Sequence, residues 1–295
     1  MARVGFIGAS GLMGHGMAKH LLAKGHALQL TVHRRRERVA DLLAAGATES
    51  PSPAVLAASS DIVFLCVTGT PEVESLVDAM LPGMNPGLLV VDCSTSEPVS
   101  TARLRERCAA RQATFIDAPL SRTPVEAEAG RLNVMVGAEP ADFAALEPVL
   151  KCFAENVFHV GGPGAGHTIK LLNNFVAQAI CNATAEAFAV GAKAGVDLKP
   201  FVQLVSAGPV NCGLFQAMAK TLDGSLDGLK FEIDLARKDV RYYTHLAESL
   251  AVPSVMGEAV HQSLALASAL GHGGKFVPSL VEAQEQLAHV KVIPR

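Results

Sequence analysis

The stretch RVGFIGASGLMGHGMAKHLLAKG, residues 3–25, contains a strand pattern, a glycine-rich turn and a helix pattern in direct succession. Residues 3–8 form a short apolar run, which is typical of a buried strand. Residues 13–25 have the apolar spacing of an amphipathic helix that ends at Gly25. The sequence therefore predicts a strand–turn–helix unit at the start of the chain.

Three glycines, Gly8, Gly11 and Gly14, occupy the turn of this unit. Glycine allows a close approach of the backbone to a pyrophosphate, and the helix that follows offers free N–H groups and the positive end of its dipole. The spacing is GxxGxxG, one residue longer than GxGxxG, and an ordinary strand-to-helix turn is the alternative interpretation. The position in the first strand–helix unit favours dinucleotide binding.

Short apolar runs alternate with helix patterns through the first half of the chain. Strands are predicted at 3–8, 27–33, 61–67, 87–94, 114–120 and 132–138, and helices at 13–25, 36–46 and 71–81. This alternation predicts an α/β fold with a parallel, doubly wound Rossmann sheet. Because the strands are apolar almost throughout, we expect helices on both faces of the sheet.

The pattern changes after about residue 160, where HVGGPGAGH (159–167) is rich in glycine and proline. A long helix pattern covers 165–193, and further helix patterns follow at 198–207, 211–222, 232–250, 253–270 and 278–289. We therefore predict a Rossmann domain over 1–163 and an all-α domain over 164–295, joined by the long helix.

The composition argues against several classes of protein. The net charge is −3 and tryptophan is absent, so no nucleic-acid partner is expected. Every apolar run long enough for a membrane span is interrupted by a charge, glycine or proline, and residues 1–15 do not resemble a leader peptide. The six cysteines form no CxxC pair, and the ten histidines have no metal-ligand spacing. We expect a cytoplasmic protein without a bound metal.

The segment VHRRRER (32–38) follows the second predicted strand. A chain that binds NAD usually has Asp or Glu at this point, which binds the ribose 2′-OH. Here no carboxylate precedes Glu37. The guanidinium groups of Arg34, Arg35 or Arg36 can instead bind a 2′-phosphate through charge-assisted hydrogen bonds. The sequence favours NADP(H) over NAD(H), with a solvated basic turn as the alternative.

Four segments together resemble the β-hydroxyacid dehydrogenase family, which includes 3-hydroxyisobutyrate dehydrogenases and tartronate semialdehyde reductases. They are GFIGASGLMGHGMAKHL (5–21), DAPLSRTPVEAEAGRLNVMVGA (117–138), GPGAGHTIKLLNNF (162–175) and FEIDLARKDV (231–240). The resemblance covers nearly the whole chain. It implies a Rossmann domain followed by a helical domain, and the interconversion of a small hydroxy acid and its semialdehyde with NAD or NADP.

The resemblance also implies roles for individual residues. Lys170 matches the catalytic lysine, Asn174 the asparagine beside the substrate, and Ser121 the serine that binds the acid group of the substrate. Besides the three glycines, the positions that contact the cofactor in the family correspond to Leu12, Met13, Val67, Thr95 and Lys238.

The segment Ser121-Arg122-Thr123 departs from the Ser-Gly-Gly of most family members. Arg122 and Thr123 place a guanidinium and a hydroxyl where backbone amides otherwise face the substrate. A guanidinium suits a carboxylate and also a sulfonate, and the sulfolactaldehyde reductase branch is similar at these positions. We therefore predict that Arg122 binds a small anionic substrate, either a carboxylate or a sulfonate; an exposed loop arginine is the alternative.

Lys170 and Asn174 are four residues apart in the long helix pattern, so we expect their side chains on one face. An ammonium group beside an aldehyde oxygen stabilises the charge that hydride transfer creates and then donates a proton. The helix dipole and the apolar neighbours should lower the pKa of Lys170. The alternatives are a solvated lysine and, for the whole chain, a non-catalytic regulator that senses NADP and needs no proton donor.

The segment AQAICNATAEAFAVGAKAG (177–195) is apolar or small nearly all round the predicted helix. A helix of this kind buries its surface on every side. The sequence therefore favours a homodimer or a homotetramer, without deciding between them.

Overall fold

The structure is a computed structural model that describes residues 1–32 and 35–294. The chain folds as two compact units, Met1–Lys170 and Leu171–Arg295. The predicted boundary at 163/164 lies at the glycine hinge before the long helix, whereas the two units divide within that helix. The first turn of the helix packs closely on the sheet of the first unit: a Cβ built on Gly166 would lie 2.6 Å from the carbonyl oxygen of Met135.

The described residues of the first unit form one nine-stranded sheet. Its strands are β1 (Arg3–Ile7), β2 (Ala27–Thr31), β3 (Thr48–Glu49), β4 (Ile62–Leu65), β5 (Leu89–Asp92), β6 (Thr114–Asp117), β7 (Leu120–Ser121), β8 (Leu132–Gly137) and β9 (Ala154–Gly161). Their order across the sheet is β3-β2-β1-β4-β5-β6-β8-β7, and β9 pairs with β8. The predicted Rossmann sheet is confirmed, because the order reverses direction at β1 as in a doubly wound fold.

One edge of the sheet differs from the prediction of a wholly parallel sheet. β1 to β6 pair in parallel, but β8 is antiparallel to both β6 and β7, and β9 is parallel to β8. The connection from β6 to β8 contains β7 and only a five-residue helix, so the chain returns without a full crossover. β9 has no strand pattern in the sequence because its residues are mostly half-buried or exposed and include several polar side chains.

Seven α-helices lie wholly within the described first unit and cover the sheet. They are α1 (Leu12–Ala23), α2 (Ala40–Ala44), α3 (Pro53–Ser59), α4 (Thr70–Met80), α5 (Pro98–Ala109), α6 (Pro124–Glu128) and α7 (Pro140–Leu150). Consecutive strand residues belong to different core clusters: Phe64 packs in one, and its neighbours Val63 and Leu65 in the other. Both faces of the sheet are therefore covered, as the apolar strands predict.

The regular elements that the structure describes in the second unit are helices, apart from one isolated bridge between Glu232 and Phe276. The α-helices after the first unit are α8 (Ala165–Lys193), which begins in that unit, α9 (Leu198–Ser206), α10 (Gly213–Ala219), α11 (Ile233–Ser249), α12 (Val255–Ala267) and α13 (Leu280–Ala288). Phe188 of α8 and Phe215 of α10 lie in the core of this unit and pack edge to face. The predicted all-α half is confirmed.

Helix α8 is, by length and composition alone, also long and apolar enough to cross a membrane. The core helix of a soluble protein has the same properties. Cys181, Ala185 and Phe188 of α8 are almost fully buried in the core of the second unit, and 39% of the most apolar window of the helix is buried.

Candidate active site

The parallel strands of the first unit end together at one edge of the sheet. The aligned last residues of β1, β4, β5 and β6 are Ile7, Leu65, Asp92 and Asp117. The segments after these strands hold the glycine loop, Val67, Thr95 and Ser121. Open α/β sheets bind their ligands at this edge, so the fold brings the predicted cofactor residues of the first unit to the expected place.

The glycine loop has no room for side chains at two of its three glycines. Gly8 has a positive φ of 102°, and a Cβ there would lie 2.0 Å from the carbonyl oxygen of Cys66. A Cβ on Gly14 would lie 2.3 Å from the carbonyl oxygen of Gly8. The N–H of Gly11 donates to the same oxygen at 2.9 Å, which closes a turn that contains the additional residue of GxxGxxG.

The loop fits the diphosphate of a dinucleotide. Helix α1 begins at Leu12, directly after Gly11, so the N–H groups of its first turn have no partner within the helix. The Leu12 side chain is exposed and that of Met13 is half-buried. A bare backbone at a helix N-terminus is the arrangement that binds phosphate groups.

Asp92 fixes the turn that holds Thr95. Its carboxylate is fully buried and accepts hydrogen bonds from the backbone N–H of Ser94 and the hydroxyl of Ser96, both at 2.8 Å. The hydroxyl of Ser94 in turn accepts a hydrogen bond from the N–H of Val67 at 3.0 Å. The two predicted cofactor residues Val67 and Thr95 therefore lie in segments that one buried carboxylate holds in place.

A second buried carboxylate fixes the start of helix α8. Asp117 accepts hydrogen bonds from the backbone N–H groups of Gly164 at 2.7 Å and His167 at 2.9 Å. The ring of His167 is fully buried, with Nδ1 2.7 Å from the hydroxyl of Thr101 and Nε2 3.5 Å from Asp92. These contacts connect the ends of β5 and β6 to the first turn of α8.

Lys170 follows this anchored turn and is half-buried. It is the last residue of the first unit, in the second turn of α8. Its backbone position is therefore determined by the hydrogen bonds that Asp117 accepts from the helix start. The lowered pKa expected for Lys170 stays a prediction.

In the second unit, the other two predicted residues share one carboxylate. Asn174 is buried, and its Nδ2 donates to Asp239 at 2.6 Å, while its Oδ1 accepts a hydrogen bond from Asn173 at 3.1 Å. The Lys238 ammonium lies 3.0 Å from the other oxygen of Asp239 and 5.2 Å from the centre of the Tyr242 ring. An amide nitrogen carries two N–H groups, and the bond to Asp239 uses one of them.

Ser121 and Thr123 have different surroundings in the substrate segment. Ser121 ends β7, opposite Asn133 of β8, and is half-buried. The Thr123 hydroxyl accepts a hydrogen bond from the N–H of Val125 and forms a capping box with Glu126 at the start of α6. Thr123 therefore caps helix α6. This structural role comes in addition to the contact with the substrate that the sequence predicts.

Arg122 binds a carboxylate of the chain itself. Its guanidinium pairs with Glu155 of β9 and donates to the carbonyl oxygen of Arg131 at 2.6 Å. The backbone of Arg122 has a positive φ of 82°, a conformation that favours glycine. In this structure the guanidinium predicted to bind a substrate anion is occupied by Glu155.

The predicted 2′-phosphate residue Arg34 lies outside the described residues. Of its neighbours, Arg35 is exposed, and Arg36 pairs with Glu49 at the end of β3. Glu49 therefore places a carboxylate beside this segment, although it lies eleven residues after segment 32–38 in the sequence and could not be inferred from that segment alone.

The network of Asp92, Thr101 and His167 has no spacing signal in the sequence, because its members come from three separate segments. The sequence holds one clue: VVD at 90–92 and FID at 115–117 each end an apolar strand in aspartate. Aspartate is seldom fully buried without partners, so a buried strand that ends in Asp indicates a hydrogen-bonded carboxylate at the site edge.

Comparison with known proteins agrees with this arrangement. The family model of the "NAD binding domain of 6-phosphogluconate dehydrogenase" matches residues 3–161, and that of the "NAD-binding of NADP-dependent 3-hydroxyisobutyrate dehydrogenase" matches residues 164–282. The chain is 30% identical to 2-(hydroxymethyl)glutarate dehydrogenase of Eubacterium barkeri, over 98% of this chain and 97% of that protein. It is 29% identical to 3-sulfolactaldehyde reductase of Escherichia coli, over 96% and 95%.

A solved structure shows the same fold. The 3-hydroxyisobutyrate dehydrogenase of Mycobacterium tuberculosis, with L-serine, has a TM-score of 0.87 at 22% identity, over 96% of this chain and 98% of that one. The family models and the relatives identify the chain as an NAD(P)-dependent oxidoreductase that acts on CH–OH groups. The chain belongs to the β-hydroxyacid dehydrogenase family.

Proposed function

We propose that the chain is an NADP(H)-dependent β-hydroxyacid dehydrogenase, or semialdehyde reductase, that interconverts a small anionic 3-hydroxy acid and its semialdehyde. The observation that carries this proposal is the position of Lys170 directly after a helix start that Asp117 anchors to the cofactor edge of the sheet. A lysine on a solvated helix face needs no such anchor.

The bound nicotinamide supplies or accepts the hydride. The chain's own contribution is to hold and move a proton at the Nζ of Lys170. In the direction of reduction, this ammonium stabilises the oxygen of the aldehyde as it gains negative charge and then protonates it. In the direction of oxidation, the neutral amine accepts the hydroxyl proton.

Asn174 and Lys238 are proposed to assist at the substrate and at the cofactor. The buried hydrogen bond from Asn174 to Asp239 fixes the orientation of its amide, so that the second N–H is available to a substrate oxygen. Lys238 binds the same carboxylate, which holds its ammonium at a fixed place for the cofactor. Asp239 thus positions both side chains.

The cofactor residues proposed in the first unit are those around the glycine loop and the two strand ends. They are Gly8, Gly11, Leu12, Met13, Gly14, Val67 and Thr95. The preference for NADP(H) is supported by the arginines at 34–36 and by the lack of a carboxylate before Glu37 in this segment. Arg34 is proposed to bind the 2′-phosphate.

Two classes of substrate anion, a carboxylate and a sulfonate, are candidates. Ser121 at the strand edge suits a carboxylate, which is the proposed substrate class. A sulfonate is the second candidate, because Arg122 departs from the usual glycine and a relative of similar identity is named 3-sulfolactaldehyde reductase. Arg122 binds either anion only after it leaves Glu155.

A cytoplasmic location stays an expectation from the sequence composition. We also propose that the protein forms a homodimer or a homotetramer. The support is the number of large apolar side chains that α8 exposes, Ile169, Leu172, Val176 and Val190. Apolar surface of this kind is typical of contacts between subunits.

The direct test is the oxidation of NADPH, and separately of NADH, with a panel of carboxylate semialdehydes and sulfolactaldehyde. Faster turnover with NADPH and a carboxylate semialdehyde supports the proposal. Turnover restricted to the sulfonate supports the second candidate. Tight NADPH binding without turnover of any of them contradicts both and favours a non-catalytic regulator.

A further inference from the structure

His15 contacts two carboxylates at once, in a part of the first unit that the proposed chemistry does not use. It lies in α1, one turn after Gly11, and only 22% of its side chain is exposed. Its Nδ1 is 2.6 Å from Oε1 of Glu128, and its Nε2 is 3.1 Å from both oxygens of Asp41. Glu128 ends α6, and Asp41 is in α2.

This geometry favours the protonated form of the ring. Ionised carboxylates only accept hydrogen bonds, and a neutral imidazole has one N–H, so only the imidazolium form donates to both partners. Burial alone lowers the pKa of His15, but the hydrogen bonds and negative charges of Glu128 and Asp41 outweigh it, and this pKa is raised above its ordinary value. The pKa values of both carboxyl groups are lowered by His15, although burial acts in the opposite direction.

Helix α6 lies unusually close to α1. A Cβ built on Gly16 would lie 2.3 Å from the carbonyl oxygen of Ala127, so the two helices touch through their backbones. Lys19 adds an ion pair with Glu128 at 3.3 Å, and Nε2 of His20 lies 2.9 Å from the carbonyl oxygen of Glu128. Within residues 1–32 and 35–294, the charged and titratable groups around His15 are Glu128 and Asp41, which it contacts, and Lys19 and His20, which contact Glu128.

The helices that His15 joins to α1 each follow a predicted binding segment. Helix α6 begins directly after Ser121-Arg122-Thr123, and α2 directly follows the basic segment and the 3₁₀ turn Arg36–Val39. Helix α1 itself begins at the glycine loop. One side chain thus connects the predicted diphosphate, 2′-phosphate and substrate segments of the first unit.

We propose that His15 is a proton-dependent positioning residue, which holds α2 and α6 against α1 and thereby strengthens binding of the cofactor phosphates. The part that concerns the cofactor rests on the proposed function, whereas the contact between the three helices does not. When the ring loses its proton, one carboxylate faces a nitrogen lone pair, and one of the two contacts is lost.

The sign of the pH effect follows from these groups. Because the pKa of His15 is raised on folding, the stability it contributes is fully present below its ordinary pKa of about 6.5 and is lost as pH rises through the raised value. Among the described residues, the side chain that pairs with Asp41 is that of His15, whereas Glu128 also pairs with Lys19, so we expect α2 to separate first.

The test compares the wild type with His15→Gln and with the matched control His20→Gln. A glutamine amide donates from one end only, so it cannot bind both carboxylates, and its charge does not change with pH. His20 is in the same helix, and the contact that its ring makes among the described residues is with a backbone carbonyl rather than a carboxylate. Two readouts are measured between about pH 6 and about pH 9: the Tm of the cofactor-free protein, and the Kd of NADPH from its fluorescence.

We expect the wild type and His20→Gln to lose NADPH affinity by roughly threefold to tenfold as pH rises, with a falling Tm. His15→Gln should bind at the weaker, high-pH level throughout, with less dependence on pH in both readouts. The proposal is overturned if His15→Gln keeps the wild-type dependence, or if only its Tm profile changes. Neither readout requires turnover, so an enzyme that binds NADPH but reduces no semialdehyde would contradict the proposed function and leave this test intact.

Discussion

Asp117 accepts a hydrogen bond from the backbone N–H of His167 at 2.9 Å, which joins the end of β6 to the first turn of α8. The same carboxylate accepts from Gly164 at 2.7 Å, and it is fully buried. A carboxylate at a helix N-terminus is also favoured by the helix dipole. This anchor lies three residues before Lys170, so it couples the cofactor edge of the sheet to the proposed proton donor.

The first prediction concerns this anchor. Asp117→Asn keeps the shape of the side chain but replaces one acceptor with an NH₂ group, so one of the two buried hydrogen bonds is lost. We expect a loss of about 1–3 kcal/mol in the free energy of unfolding, measured in urea. We also expect kcat to fall by about 10-fold to 100-fold, because Lys170 is displaced.

Asp61→Asn is the control for this prediction. Asp61 pairs with Arg3 in an exposed position just before β4, and such pairs contribute about 0–1 kcal/mol. Its kcat should match that of the wild type. A kcat unchanged in Asp117→Asn would show that the anchor does not position Lys170.

The second prediction concerns the glycine loop. Gly14→Ala places a Cβ 2.3 Å from the carbonyl oxygen of Gly8, so the backbone that faces the phosphates must shift. The Kd of NADPH should rise about 10-fold or more, and this is measured by fluorescence titration. Gly213→Ala is the control, since a Cβ there meets nothing within 4 Å. Equal NADPH affinity in both variants would contradict the assignment of the loop.

The third prediction separates the two roles of Arg122. If Arg122 leaves Glu155 to bind the substrate anion, Arg122→Gly should raise the KM of the substrate about 10-fold or more without changing the Kd of NADPH. Glu155→Gln removes the competing carboxylate and should lower the same KM. A KM that is unchanged in both variants would show that Arg122 only fastens β9 to the segment after β7.

The parts of the fold with a clear period could be predicted from the sequence. The first strand–turn–helix unit and helix α8 are examples, because an uninterrupted apolar run or a sustained helical spacing determines each one locally. The direction of β8 and the existence of β9 could not be predicted, since both depend on pairing between distant segments. β9 in addition contains Glu155, Asn156 and His159 among its partly exposed residues, which hides any strand pattern.

In the candidate site, too, features set by local sequence could be predicted and features set by distant contacts could not. Gly8 and Gly14 could be proposed because the glycine loop has its own spacing, and Lys170 could be proposed because its segment resembles that of a known family. The partners that fix the motifs could not: Asp117 reaches α8 across 50 positions, and His15 reaches Glu128 across 113. Such contacts exist only after the chain has folded.

The most direct test of the account is the turnover of Lys170→Met, beside Lys193→Met at the far end of the same helix. Methionine keeps a long side chain but has no proton to donate. We predict a kcat lower by about 100-fold to 10,000-fold for Lys170→Met, with wild-type unfolding and NADPH affinity, and a near-normal kcat for Lys193→Met. A correctly folded Lys170→Met that binds NADPH and keeps most of the wild-type kcat would contradict the central claim.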